Sequence, residues 1–254
     1  VPRRGAWRAS ALRMAPALLA ASGRAGARRV ALQLGGSTPR ASARGAAATA
    51  GPRLRAYTPE SGLDEEQAEL YRRILEDRGR TGAKAGFGVQ NEDGSLVGPW
   101  NAWVASPAIG ACVERVAYHC RHSSSCPPDL YEIGILAVGA AWQSQFEWYA
   151  HEKLALKAGV SPEAIESIRR SVPAVDAEGM TPRQRAVYAY AAELHGRRRV
   201  GEGTHAAALA AVGGERALVD LVLTMGVYSQ ISMQLNAFAV PLPPGEAPPF
   251  PEPP

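Results

Sequence analysis

Cysteine is scarce: Cys112, Cys120 and Cys126 are the only three in 254 residues, and no two of them form a C-x-x-C pair. Spacing of this kind excludes a disulfide framework and predicts reduced thiols. The cluster "HCRHSSSC" (His119, Cys120, His122, Cys126) lacks the paired ligand spacing of a structural zinc site, so neither a metal nor another cofactor is expected. Acidic residues are missing from the beginning of the chain. The first is Glu60, and eleven of the 28 Lys and Arg residues, all of them arginine, precede it. The remainder carries 17 bases against 24 acids, a net of −7, so the overall charge of +4 misdescribes the part expected to fold. No basic excess is left there to meet phosphates, and a nucleic-acid partner is not expected. No apolar run approaches the roughly 20 residues of a membrane span, so no membrane partner is expected either.

Rich in arginine, free of lysine and acid, and dotted with Ala, Gly and Ser, residues 1–57 have the composition of an organellar transit peptide. The competing reading is a disordered basic tail. A mitochondrial or plastid location follows from the first reading and a cytoplasmic one from the second.

Beyond residue 57 the chain is punctuated by helix starts and stops. "TPESGLDEEQAELYRRILEDRG" places apolar residues at helical spacing and predicts an amphipathic helix ending near Gly79. A glycine-dotted loop over 80–106 follows. Pro107 opens a second helix that "SSSCPP" stops. "DLYEIGILAVGAA" is apolar nearly all round, the mark of an interior helix. Ser161 before Pro162 and Thr181 before Pro182 predict two more capped helices. "GTHAAALAAVG" and "GERALVDLVLTMGVYSQISMQLNAFAV" complete the set, with no convincing strand alternation between them. The reading is one all-α domain, a compact helical bundle over 58–240, followed by a proline-rich tail over 241–254 that is neither helix nor sheet.

The chemistry-bearing residues lie in Asp129 to Gly159. On one straight helix Glu132 and His151 would stand about 28 Å apart, too far for shared chemistry. The helix must therefore break if they cooperate. Ser144 and Glu147 have the S-x-x-E spacing of a capping box, which predicts a new helix beginning at Ser144 and a structural use for Glu147. On that helix Glu147 and His151, at i and i+4, share a face. His151 alone also reads as a satisfied core or interface histidine. Glu132 sits on an otherwise apolar helix, where an unpaired carboxylate is costly, which favours a functional or buried-network role.

The spacing E-x11-S-x2-E-x3-H, running from Glu132 through Ser144 and Glu147 to His151, resembles the carboxymuconolactone decarboxylase and alkylhydroperoxidase D superfamily. Its peroxidase branch carries E-x11-C-x2-C-x3-H. The resemblance extends over roughly residues 98–240 and includes "AGVSPEAIESI" and "NAFAVPLPPGE". It implies an all-α fold, assembly into homo-oligomers (a trimer or hexamer), and motif helices lining a small-molecule pocket near subunit contacts. Serine and glutamate in place of the two cysteines remove the nucleophilic and resolving thiols, so peroxidase chemistry at the motif is not expected. The decarboxylase branch needs no thiol, and the resemblance then implies a lyase acting on a small carboxylated lactone or related enolisable acid. In that reading His151 is the acid/base and Glu147 or Glu132 holds its protonation state. Ser144 and Asn101 are candidate polar contacts, and Trp103, Trp142, Trp148 and Tyr149 candidate pocket walls. Two alternatives stay open: a peroxidase using a cysteine outside the motif, and a non-catalytic oligomeric binding protein. The nearest arginines, Arg115 and Arg121, have no obvious place at the motif.

Overall fold

In the computed structural model the described residues are 51–85 and 88–251, all within one compact unit that covers 48–254. The leader expectation falls almost wholly outside them. Nine α-helices occur among the described residues: α1 (Glu65–Ala85), α2 (Trp100–Ala105), α3 (Pro107–His122), α4 (Pro128–Trp142), α5 (Gln145–Lys157), α6 (Pro162–Arg169), α7 (Pro182–Arg197), α8 (Glu202–Val212) and α9 (Glu215–Ala237). Those residues contain no strand, only an isolated antiparallel bridge between Gln90 and Leu96. The fold is all-α, as the capped segments predict.

α4 is the axis of the bundle. Every residue from Leu130 to Gly139 is buried, and the helix packs against α5, α6, α7 and α9. Gly134 permits the approach of α9: a Cβ there would lie 2.8 Å from Leu221 Cδ1 and 3.3 Å from Met225 Cγ. The interior has no room for it.

Three details differ from the sequence expectation. α1 continues past Gly79 to Ala85. Its two interior glycines, Gly79 and Gly82, cost the helix only about 1 kcal/mol each, which the buried stripe of Leu70, Tyr71 and Ile74 offsets. The stretch expected to close a loop contains the short α2, whose Trp103 and Val104 are buried. α9 is long and apolar enough, by length and composition, to cross a bilayer, which corrects the expectation that no segment approaches this. Its apolar character has two uses. Leu218, Leu221, Met225, Tyr228, Ile231 and Leu235 enter the core, whereas Val219, Val222, Leu223 and Met233 remain exposed.

The tail beyond α9 is irregular, as its prolines predict, yet part of it is fastened to the domain. Phe250 is buried with its ring edge-on to Trp148 at 5.2 Å. Gln145 holds the Phe250 backbone from both sides: its Nε2 donates to the carbonyl (2.8 Å) and its Oε1 accepts from the N–H (3.0 Å). Arg169 donates to the Pro249 carbonyl, and Lys153 pairs with Glu246.

Candidate active site

The α4–α5 turn brings the motif together. Gln143 adopts the left-handed conformation (φ 48°, ψ 40°), its N–H donates to the Ala140 carbonyl, and the Ser144 N–H donates to the Gly139 carbonyl at 3.0 Å. This is a Schellman stop. It corrects the capping-box expectation. The Ser144 hydroxyl makes no cap hydrogen bond, and its backbone N–H, the group that Glu147 would have reached back to, is already donated to Gly139. Where the N-cap group is free, at Thr181, the full box with Gln184 does form, and Ser161 caps α6 by accepting from Ala164. Ser144 Oγ and Glu147 Oε1 are left buried without a hydrogen-bond partner.

Released from capping, Glu147 faces His151. Nδ1 of His151 lies 2.7 Å from Oε2 of Glu132, and Nε2 lies 3.3 Å from Oε1 of Glu147. That second approach is close enough for an ion pair but is not a hydrogen bond, so Glu147 Oε1 is left without a hydrogen-bond partner. Glu132, Glu147 and His151 are all buried. Burial pushes the Glu147 carboxyl up to about 7, against the opposing pull of His151, with the Glu132 charge adding to the rise. Its proton is therefore exchangeable at neutral pH.

Two residues outside the motif complete the cluster. Arg121, on α3, places Nη1 3.2 Å from Oε1 of Glu132, so an arginine with no obvious place in the sequence is the counter-ion of the motif's first carboxylate. Burial works against its charge, but Tyr228 and Glu132 outweigh burial and hold the guanidinium firmly protonated. Tyr228, on α9, sets its ring edge-on to the His151 imidazole, with centroids 4.7 Å apart, and its hydroxyl interacts electrostatically with the Arg121 guanidinium. Burial pushes that hydroxyl up to about 12. The only sequence signal for either residue was an arginine near the end of an amphipathic helix and a tyrosine within an apolar one.

The expected pocket walls are placed mainly by packing. Trp148 is fully buried against Phe250, and Trp103 donates its Nε1–H to Gln234 at 3.1 Å. Tyr149 lies under the Lys153 ammonium at 3.9 Å, and Trp142 offers its carbonyl to Asn236. Asn101 fastens the segment before α1, accepting from the Tyr57 N–H and donating to the Arg55 carbonyl. None of these bonds reaches the carboxylate–imidazole cluster. Two clefts of about 400 and 430 Å³ lie elsewhere, the first lined by Asn101, Gly98 and Pro241 among others, the second by Cys112, Val116 and Leu223 among others.

The thiols stand apart from this chemistry. Burial raises Cys120, and it pushes Cys126 up to about 12, while Cys112 is exposed. Among the described residues no group of His, Cys, Asp and Glu is arranged to hold a metal.

No family model and no curated protein matches the sequence. Among solved structures, the chain is similar to the alkylhydroperoxidase D core of a peroxidase-related protein from Ralstonia eutropha, at 17% identity and a TM-score of 0.56 over 72% of this chain and 91% of that one. At this identity the likeness is one of architecture, and it agrees with the all-α fold that the motif's resemblance implies. The chain is built on the alkylhydroperoxidase D-like helical fold.

Proposed function

We propose that the chain is a carboxymuconolactone decarboxylase-like lyase that takes a small carboxylated lactone or related enolisable acid, with His151 as its general acid/base. The observation that carries this reading is the imidazole held between two carboxylates, at 2.7 Å from Glu132 and 3.3 Å from Glu147. Loss of carbon dioxide breaks a C–C bond and leaves its electron pair on an enolate delocalised into the lactone carbonyl. A proton must then reach carbon. Glu147, whose carboxyl is pushed up to about 7, supplies it to or through His151 Nε2, while Glu132 steadies the charge at Nδ1. Because the cluster is buried, substrate reaches it through a local opening of the fold.

Replacing His151 by Gln is expected to lower carbon dioxide release from carboxymuconolactone by about 10²–10⁴-fold with an unchanged circular dichroism spectrum. Full activity in that variant would refute the reading. The fold relative named for peroxidase chemistry keeps a thiol-dependent alternative in view, but a buried thiol pushed up to about 12 argues against Cys126 as nucleophile.

Assembly with further copies of the chain fits the same reading. Five of the eight exposed large apolar side chains among the described residues (Ile109, Val116, Val219, Val222, Leu223) lie on α3 and α9, and three of them, Val116, Val222 and Leu223, line the 430 Å³ cleft. That cleft's lining is free of charge, as suits a self-complementary contact between copies. Sedimentation should give an oligomer for the wild type and a smaller species for Val116→Asp/Leu223→Glu. A monomeric wild type, or one that instead binds lipid vesicles through α9, would rule this contact out.

A further inference from the structure

The two oxygens of Glu132 are divided between partners: Oε1 goes to Arg121 at 3.2 Å and Oε2 to His151 at 2.7 Å. The Arg121 guanidinium and the Tyr228 hydroxyl attract one another, and the Tyr228 ring returns edge-on to the His151 imidazole. The contacts thus close a ring, Arg121 to Glu132 to His151 to Tyr228 and back to Arg121, drawn from α3, α4, α5 and α9. We propose that Arg121 and Tyr228 are positioning residues that lock His151 in its Nδ1–H tautomer, leaving Nε2 as the acceptor that faces Glu147.

Arginine stays protonated in a protein interior and has no acceptor. Paired with it, Glu132 remains an anion, and an anionic carboxylate can only accept. Nδ1 must therefore donate to it. A neutral imidazole carries one N–H, so Nε2 is left with its lone pair toward Glu147. Tyr228 acts at two points of the ring. The attraction between its hydroxyl oxygen and the guanidinium fixes how the fork meets Glu132, and its ring blocks rotation of the imidazole from the α9 side. The charged and titratable groups of the cluster are Arg121 from α3, Tyr131 (through Arg121) and Glu132 from α4, Glu147 from α5, and Tyr228 from α9. Arg121, which the motif does not contain, thereby sets the direction of proton transfer at a nitrogen it does not touch.

This inference rests on His151 being the acid/base of the proposed reaction, but its test needs no substrate. Nitrogen NMR of protein labelled at histidine, with the His151 signals assigned by their loss in His151→Gln, reads the tautomer directly. In the wild type Nδ1 should carry the proton. Arg121→Lys, which keeps the charge, should retain that signature. Arg121→Met should shift the tautomer ratio by about tenfold toward Nε2–H, the effect of losing a charge-assisted hydrogen bond. Tyr228→Phe keeps the ring and is expected to fold whatever happens to Arg121→Met. It should move the ratio in the same direction by about threefold. An unmoved ratio in Tyr228→Phe, or in folded Arg121→Met, would overturn the proposal. A shifted ratio alongside a fully active His151→Gln would instead overturn the functional reading and leave the positioning intact.

Discussion

Replacing Glu132 by alanine is expected to destabilise the fold by about 3–5 kcal/mol, the largest single-residue effect at the cluster. The cause is the partner left behind. Arg121 has a side chain only 12% exposed, and Glu132 is the carboxylate that balances it. Without that carboxylate a guanidinium stays charged in an apolar interior, because arginine does not escape by losing its proton. His151 loses its Nδ1 partner in the same substitution. Urea unfolding at pH 7 measures the loss as a lower midpoint at unchanged slope. The companion double variant Arg121→Met/Glu132→Leu removes both charges and should recover most of the stability, since an apolar pair of similar volume often replaces a buried ion pair at little cost. Single and double variants of equal stability would show that the pair is not coupled.

Glu147→Gln should separate stability from activity. Below about 4.5 the carboxyl holds its proton in the folded and the unfolded chain alike, and the full stability is present. Between about 4.5 and about 7 the unfolded chain ionises while the folded one keeps the proton, so stability falls as pH rises. Above about 7 the folded chain ionises in place, and the accumulated loss levels off at roughly 3 kcal/mol. Glutamine cannot ionise. The variant is expected to match the wild type at pH 4.5, to exceed it by up to about 3 kcal/mol at pH 8, and to lose turnover because the amide carries no transferable proton. Denaturant midpoints across that range test it, and parallel curves for the two proteins would mean that Glu147 is not a strained carboxyl.

The sequence was informative where information is local. Prolines at first helical positions and Ser or Thr before them marked α6 and α7 with their caps, and the all-apolar α4 announced its place at the centre. The break at residue 144 was legible as well, though from a spacing that has a different physical origin. The turn is made by backbone, through Gln143 in the left-handed region and the Ser144 N–H on Gly139. An S-x-x-E pattern does not reveal that its backbone donor is already engaged, so Glu147 read as a cap as well as a partner of His151, although the backbone makes no use of its carboxyl. Arg121 and Tyr228 were illegible for another reason. Each enters the cluster across a helix–helix contact, from α3 and α9, and helical periodicity says which face a residue occupies without saying which helix will meet it. Phe250 lies in a proline-rich tail whose composition predicts irregular backbone correctly and says nothing of docking.

That docked tail divides the molecule into two tiers of cooperativity. One buried ring and a handful of polar contacts hold 246–250 onto α5 and α6, whereas α4 is enclosed by four helices. Detachment of the tail should therefore precede global unfolding by a wide margin in free energy. Amide hydrogens in the first turn of α5 should exchange with solvent through that detachment, and those of α4 only when the whole bundle opens. The first turn of the helix that carries Glu147 and His151 thus belongs to the more labile tier, and the carboxylate that accepts the histidine N–H to the more durable one.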